Sequence, residues 1–249
     1  MTGRAVAALQ AVDSRFVLEY RVAGEGCRDV LAACCAARLE DAQPVRAFRF
    51  GKGLNSFAGW WYFATSGVHV GFESWLERDH LMLMDFDPRV RAVSSQPFCL
   101  CWRDEQGNAR RHVPDFFVRR VDGTGVVVDV RPDDRIPDRD AGVFAVTGSA
   151  CAAAGWEFRR VGDLDPVLVA NVRWLSRYRH SRCLVPEIAE VLLGVFAEGG
   201  ALFSGAGRAG DRLRVLPVLF HLMWRGELVA NLTGGPLGAE TIVRTSRSR

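Results

Sequence analysis

Lysine is all but missing from this chain: Lys52 stands alone against 31 arginines. The skew fits a GC-rich coding bias, and it hands most basic roles to arginine, which stays protonated in proteins. Long apolar runs are missing as well. No stretch approaches the roughly eighteen apolar residues that suggest a membrane helix, and the opening MTGRAVAALQAVDSR lacks the form of a secretion signal. A cytoplasmic protein with no membrane partner is expected. The seven cysteines, Cys27, Cys34, Cys35, Cys99, Cys101, Cys151 and Cys183, are odd in number and contain no C-x-x-C pair. Cys99 and Cys101 sit two apart on a predicted strand and so share a face, but reduced core thiols are the expectation.

What is present is an ordinary globular composition, 49% hydrophobic and 24% charged, enough for one large or two small domains. The net charge of +3 is unevenly placed. Residues 1–162 hold 21 basic and 21 acidic side chains, and 163–249 hold 11 and 8. The excess in the second part is compatible with DNA contact.

The informative stretch runs from Phe72 to Pro132: FESWLERDHLMLMDFDPRV, then SSQPF, HVPDFFV and GVVVDVRP. Asp115 opens one predicted strand and Asp129 nearly ends the next, and the turn VDGTG between them folds the two into a hairpin. Both carboxylates then face one edge of a sheet, with Glu77 approaching from a predicted helix. Such an all-oxygen set suits Mg²⁺ or Mn²⁺. Arg131, two residues after Asp129, emerges on the same face. Acid, acid, x, base on a hairpin is a minimal kit for metal-assisted phosphodiester hydrolysis.

Pro114–Asp115 and Asp129-x-Arg131 resemble the motifs of the PD-(D/E)xK nuclease superfamily. The ordered set ESWLERDHLMLMDFDPRV, QPF, VPDFFV and VVVDVRP is similar to the catalytic domain of TnsA-like transposase endonuclease subunits, over about residues 66–162. The resemblance implies a restriction-endonuclease-like α/β fold, a mixed central sheet flanked by helices, followed by a small winged-helix-like domain. It implies Glu77, Asp115 and Asp129 as catalytic metal ligands, the Val130 carbonyl completing the shell, Glu73 and Gln96 behind them, and Mg²⁺ or Mn²⁺ as cofactor. It also implies DNA and a DDE-type transposase subunit as partners, and nucleoid association. Arg131 departs from the superfamily's lysine. An arginine cannot act as a general base, yet it can stabilise a charged phosphate. A catalytically degenerate adaptor, a stand-alone restriction or repair nuclease and a plain transcription factor are the rival readings.

In chain order, residues 1–46 are expected as an extension of uncertain structure, with strand-like RFVLEYRV and a short helix in VLAACCAARLE. Residues 47–162 are expected as the nuclease domain. Here Trp60 and Trp61 are expected to pack on the helix Phe72–Asp85, and Lys52 is a candidate phosphate contact. Strands VRAVS, PFCLCW, ARRHVPDFFVRR and GTGVVVDVR follow, then a helix ending near Gly155 and the strand WEFRRVG. His112 is expected as a structural residue. Residues 163–249 are expected as a helical domain with a basic tail, containing two helices and a strand pair. Arg173, Arg177, Arg179, Arg182, Arg212 and Arg214 are its candidate DNA contacts, with protein docking an equal alternative.

Overall fold

The computed structural model describes residues 15–48, 57–134 and 138–246. The chain forms two compact units, one holding the residues up to Leu81 with Arg89–Asp163, the other Met82–Pro88 with Leu164–Arg249. Both mix helices and sheets. No helix among the described residues is long and apolar enough to cross a membrane.

The first unit contains two four-stranded sheets and a separate hairpin. Val17–Val22 (β1) and Glu25–Val30 (β2) form an antiparallel pair. Their two-residue turn has Ala23 and Gly24 at φ 54 and 87, the conformation that matches the strands' twist. β1 also pairs with Phe98–Arg103 (β6), which pairs with Ala109–His112 (β7), giving the order β2-β1-β6-β7. The segment expected as an N-terminal extension thus supplies two strands of the first sheet. Leu31–Cys34 (α1) packs Leu31 and Cys34 beneath them. Gly59–Phe63 (β3) and Val68–Phe72 (β4) form the hairpin.

Val90–Ser95 (β5), Phe116–Arg120 (β8), Gly125–Val130 (β9) and Glu157–Val161 (β10) build the second sheet in the order β10-β9-β8-β5. β8 and β9 are the expected hairpin, with Gly123 at φ 90 in its turn. β9 and β10 are parallel, so a crossover must join them; Asp138–Ala153 (α3) provides it. Every residue of β9 is buried, as an apolar run in mid-sheet requires. Phe16 just before β1, with Leu18, Phe98 and Leu100 of the first sheet, shares one core with Phe117 and Val127 of the second, Cys151 of α3 and Trp156. Each such large side chain contributes roughly 1.5–3 kcal/mol by leaving water.

One strand expectation needs correction. ARRHVPDFFVRR is not a single strand: it breaks at Val113–Asp115 into β7 of the first sheet and β8 of the second. Its partner breaks likewise, β5 and β6 being separated by Gln96-Pro97. Proline has no N–H to give to a ladder, so Pro97 and Pro114 interrupt both strands at one level and the pair bends from sheet to sheet. The helix expected at Phe72–Asp85 is Trp75–Phe86 (α2), because Phe72 still belongs to β4 and pairs with Gly59.

In the second unit, Pro166–Leu175 (α4) is capped by Asp165, whose carboxylate accepts from the Val167 and Leu168 N–H groups. Pro186–Val195 (α5), Gly200–Ala201 (β11), Leu202–Ala209 (α6), Arg212–Trp224 (α7), Leu228–Ala230 (β12) and Ile242–Thr245 (β13) follow. The three strands form an antiparallel sheet in the order β11-β13-β12. The sequence reading passed over α6 and β11. α6 is LFSGAGRA, whose glycines argue against a helix; Gly205 is there because a Cβ would come within 2.2 Å of the Phe196 ring.

Candidate active site

The bend between the two sheets is where the acidic residues gather. Gln96 N–H donates to the Asp115 carbonyl at 2.9 Å, which stitches the two interrupted strands together across the break. Gln96 has φ 48, a left-handed backbone that costs a non-glycine residue about a kcal/mol or more. Its side-chain Oε1 is buried without a hydrogen-bond partner.

Asp115 is 9% exposed. Its Oδ2 accepts from the Val130 N–H at 2.7 Å and faces Arg131 Nη1 at 3.4 Å. Burial pushes its carboxyl up to about 8, and the Glu77 and Asp129 charges add to that, while Arg131 and the Val130 N–H pull it down. Asp115 is therefore within electrostatic reach of Glu77, Asp129 and Arg131.

Asp129 is fully buried. Its Oδ2 is hydrogen-bonded to His112 Nε2 at 2.8 Å, and its Oδ1 has no partner. His112 ends β7, with its ring edge-on to Phe144 of α3. Among the described residues, the two buried side-chain oxygens without a partner are Gln96 Oε1 and Asp129 Oδ1. Buried polar groups are nearly always satisfied, so both oxygens are exceptions, and Asp129 Oδ1 belongs to a residue whose charge acts on Asp115.

Glu77 lies at the third position of α2, and its carboxylate has local work. Oε2 accepts from the Glu73 N–H at 2.7 Å and Oε1 from Ser74 Oγ at 2.9 Å, while Ser74 Oγ accepts from the Glu77 N–H at 3.1 Å. This is a variant of the reciprocal capping box. Burial pushes Glu77 up and the Glu73 charge adds to it; the two hydrogen bonds and Arg131 oppose it. Glu73, two residues from the helix start, turns its carboxylate to Arg46 in a two-pronged ion pair. It touches Glu77 through its main chain alone among the contacts seen here.

Arg131 donates to the Val130 carbonyl at 2.7 Å as well as approaching Asp115. The oxygen expected to complete a metal shell is thus in contact with a guanidinium. Among the described residues, the only three His, Cys, Asp or Glu side chains whose ligand atoms all lie within 4.8 Å of one another are Glu19, Cys99 and Cys101. Glu77, Asp115 and Asp129 form a looser set, with Glu77 tied back to its own helix.

Glu77, Asp115, Asp129, Val130, Arg131 and Gln96 are thus brought together. Lys52 lies outside the described residues. The remaining arginines belong to the second unit. Arg177 lies over the Trp174 ring at 4.8 Å and Arg212 over Phe203 at 5.6 Å. Arg179 Nη1 donates to the Ser176 carbonyl, and Arg173, Arg182 and Arg214 are exposed. Trp60, expected to pack on the following helix, is half exposed and rests edge-on against Phe48, while Trp75 of α2 stacks on Phe57 at 4.0 Å. The sequence reading missed the cap at Ser74, although S-x-x-E at 74–77 is its signature. It also missed the Asp129–His112 pair, for which no local pattern exists.

No protein-family model matches the chain, and comparison with curated proteins finds no match.

Proposed function

We propose that this chain is a metal-dependent DNA endonuclease subunit of a heteromeric, TnsA-like transposase, cutting one strand at transposon ends. The observation that carries the reading is Asp129 Oδ1, a fully buried acid oxygen without a partner, on a residue whose charge adds to the burial that holds the Asp115 carboxyl near 8. A site that concentrates unsatisfied oxygens and mutually repelling acids is stabilised by a bound cation. The topology agrees. A bent antiparallel pair followed by a parallel strand across a helix suits a restriction-endonuclease-like core. The order helix–strand–helix–helix–strand–strand after Val185 suits a winged-helix domain.

Asp115, Asp129, Glu77 and the Val130 carbonyl are the residues that would hold Mg²⁺ or Mn²⁺, which supplies an activated water and stabilises the charged phosphate. The chain's own part centres on Arg131. Its guanidinium stays charged and serves as a clamp on a phosphate oxygen rather than as a base. To do so it leaves Asp115 and the Val130 carbonyl, freeing both oxygens together. Losing the guanidinium alone would push the Asp115 carboxyl further up, so its proton would pass to solvent only with a cation held at the freed oxygens, and His112 would keep Asp129 oriented.

A specific observation favours a second reading, a degenerate adaptor that binds the transposase or DNA without cutting. Arg131 already covers two of the ligand oxygens, and Glu77 is fully engaged in capping α2. Calorimetric titration of Mn²⁺ in the presence of end-containing DNA decides between the two. The nuclease reading requires binding that Asp115→Ala and Asp129→Ala both abolish, together with nicking that Asp115→Ala abolishes while association with the transposase partner persists. Absence of Mn²⁺ binding with DNA present assigns the chain to the adaptor class. Nicking without any transposase partner would point to a stand-alone nuclease.

A further inference from the structure

The face of the first sheet turned away from its core carries a different ligand set. Glu19 of β1 is in register with Arg28 of β2 and Cys99 of β6. Cys101, two residues along β6, is in register with Val17 of β1 and Arg111 of β7. Leu18 and Leu100 alternate with these and enter the core, so Glu19, Cys99, Cys101 and Arg111 share the opposite face. The two sulfurs are 3.8 Å apart, and a Glu19 oxygen lies within 4.8 Å of both. Both thiols are free.

The spacing has a chemical meaning. Two sulfurs held at about 2.3 Å from one tetrahedral ion stand about 3.8 Å apart, the separation seen here. Thiolates select soft or borderline cations and leave Mg²⁺ to oxygen ligands. We propose that Glu19, Cys99 and Cys101 bind one zinc ion, with a solvent molecule as fourth ligand.

The surrounding charges are balanced for this exchange. Arg28 Nη1 and Arg111 Nη2 hold Glu19 at 3.1 and 3.4 Å, and Arg111 Nε donates to Cys99 Sγ at 3.3 Å. With both thiols protonated, one carboxylate and two guanidiniums leave the cluster with a single positive charge. Replacing two thiol protons by one dication leaves that charge unchanged, so the arginines offer no added opposition to the loaded state over the empty one. Arg111 then acts as an outer partner that orients a thiolate through its N–H. Two clefts, of about 550 and 750 Å³, give access: both are lined by Glu19, Arg28 and Arg111, one reaching Cys101 and the other Cys99. A zinc ion here ties β1 to β6, strands some eighty residues apart in the chain.

The test uses full-length, chelator-treated protein and is independent of the nuclease reading. Zn²⁺ is titrated against a chromophoric chelator, and Co²⁺ is used in parallel for its sulfur-to-cobalt charge-transfer absorption. One equivalent per chain is expected, with the charge-transfer band lost in both Cys99→Ser and Cys101→Ser. Glu19→Gln should weaken binding about tenfold or more. Binding should persist in the Cys35→Ser/Cys183→Ser pair and in Asp115→Ala, which separates this site from the acidic cluster. Circular dichroism before metal addition shows that each variant is folded; if Cys99→Ser is not, Cys101→Ser and Glu19→Gln carry the decision. No Zn²⁺ taken up by the folded wild type, or uptake that survives Cys101→Ser and Glu19→Gln unchanged, overturns the proposal.

Discussion

At Asp115 the fold opposes an ionised side chain, and that has a measurable sign. The carboxyl titrates near 3.8 in the unfolded chain and at about 8 in the folded one. Between those values the folded state keeps a proton that the unfolded state has lost, so stability falls as pH rises through the window. Above about pH 8 the whole penalty is present; below about pH 4 none is. Asp115→Asn, which has no charge to lose and can still accept from the Val130 N–H, is expected to leave stability nearly unchanged at pH 4. In metal-free protein it should raise stability by on the order of a few kcal/mol at pH 9. Thermal melts of the two proteins at pH 4, 7 and 9 check this, and a difference that does not vary with pH would contradict it. Mn²⁺ should stabilise the wild type and not the variant, because a bound cation inverts the local cost of charge. Such a trade of stability for a prepared site is common at functional centres. Asp115 and Asp129 were legible from the hairpin pattern alone. The strained Gln96, the orphaned oxygens and the His112 contact were not, since each depends on a partner brought in by the fold rather than by neighbouring sequence.

At the start of α2 the same residue caps the helix and is proposed as a site residue, and the two roles can be separated by mutation. Ser74→Ala removes the hydroxyl that both accepts from the Glu77 N–H and donates to the Glu77 carboxylate. It is expected to cost about 1 kcal/mol, read as a drop in denaturation midpoint. Glu77→Gln keeps a capping side chain at the same position and should cost less than that. If Glu77 also serves the reaction, Glu77→Gln removes nicking while Ser74→Ala leaves most of it. Nicking that both variants retain would reduce Glu77 to a helix cap. Elements with strong local patterns, namely α2, the apolar β9, α3 and α7, were legible within a few residues. The bent strand pair was not. ARRHVPDFFVRR has the composition of one strand throughout, and only the pairing of Pro114 with the level of Pro97 turns it into two. α6 was hidden for the opposite reason, since its glycines serve close packing against Phe196 rather than a turn.

For the molecule as a whole, the change of character after Asp163 marks where the second unit resumes. The membership of β1 and β2 in the first sheet was out of reach, because their partner β6 lies far along the chain and no periodicity reports a pairing at that range. Charge, by contrast, is readable at long range, and the excess of three basic side chains in residues 163–249 now has positions. Arg212 and Arg214 are exposed in the first turn of α7, where the helix dipole disfavours a cation by about 0.3–1 kcal/mol each. Two guanidiniums kept exposed at a disfavoured position, on a turn whose Leu213, Arg214 and Val215 N–H groups are already bonded to Asp211, suit contact with phosphate through their side chains. An apolar cleft of about 330 Å³ between Trp174, Phe203, Leu213 and Phe220 of the same unit suits a protein partner instead. The two uses separate by salt. If α7 meets DNA, Arg212→Ala/Arg214→Ala should weaken binding by a similar factor on unrelated sequences and reduce the salt slope by about 2. Association with the proposed transposase partner should then be unchanged. An unaltered salt slope combined with loss of the partner would assign the α7 face to docking, and would leave DNA contact to the first unit.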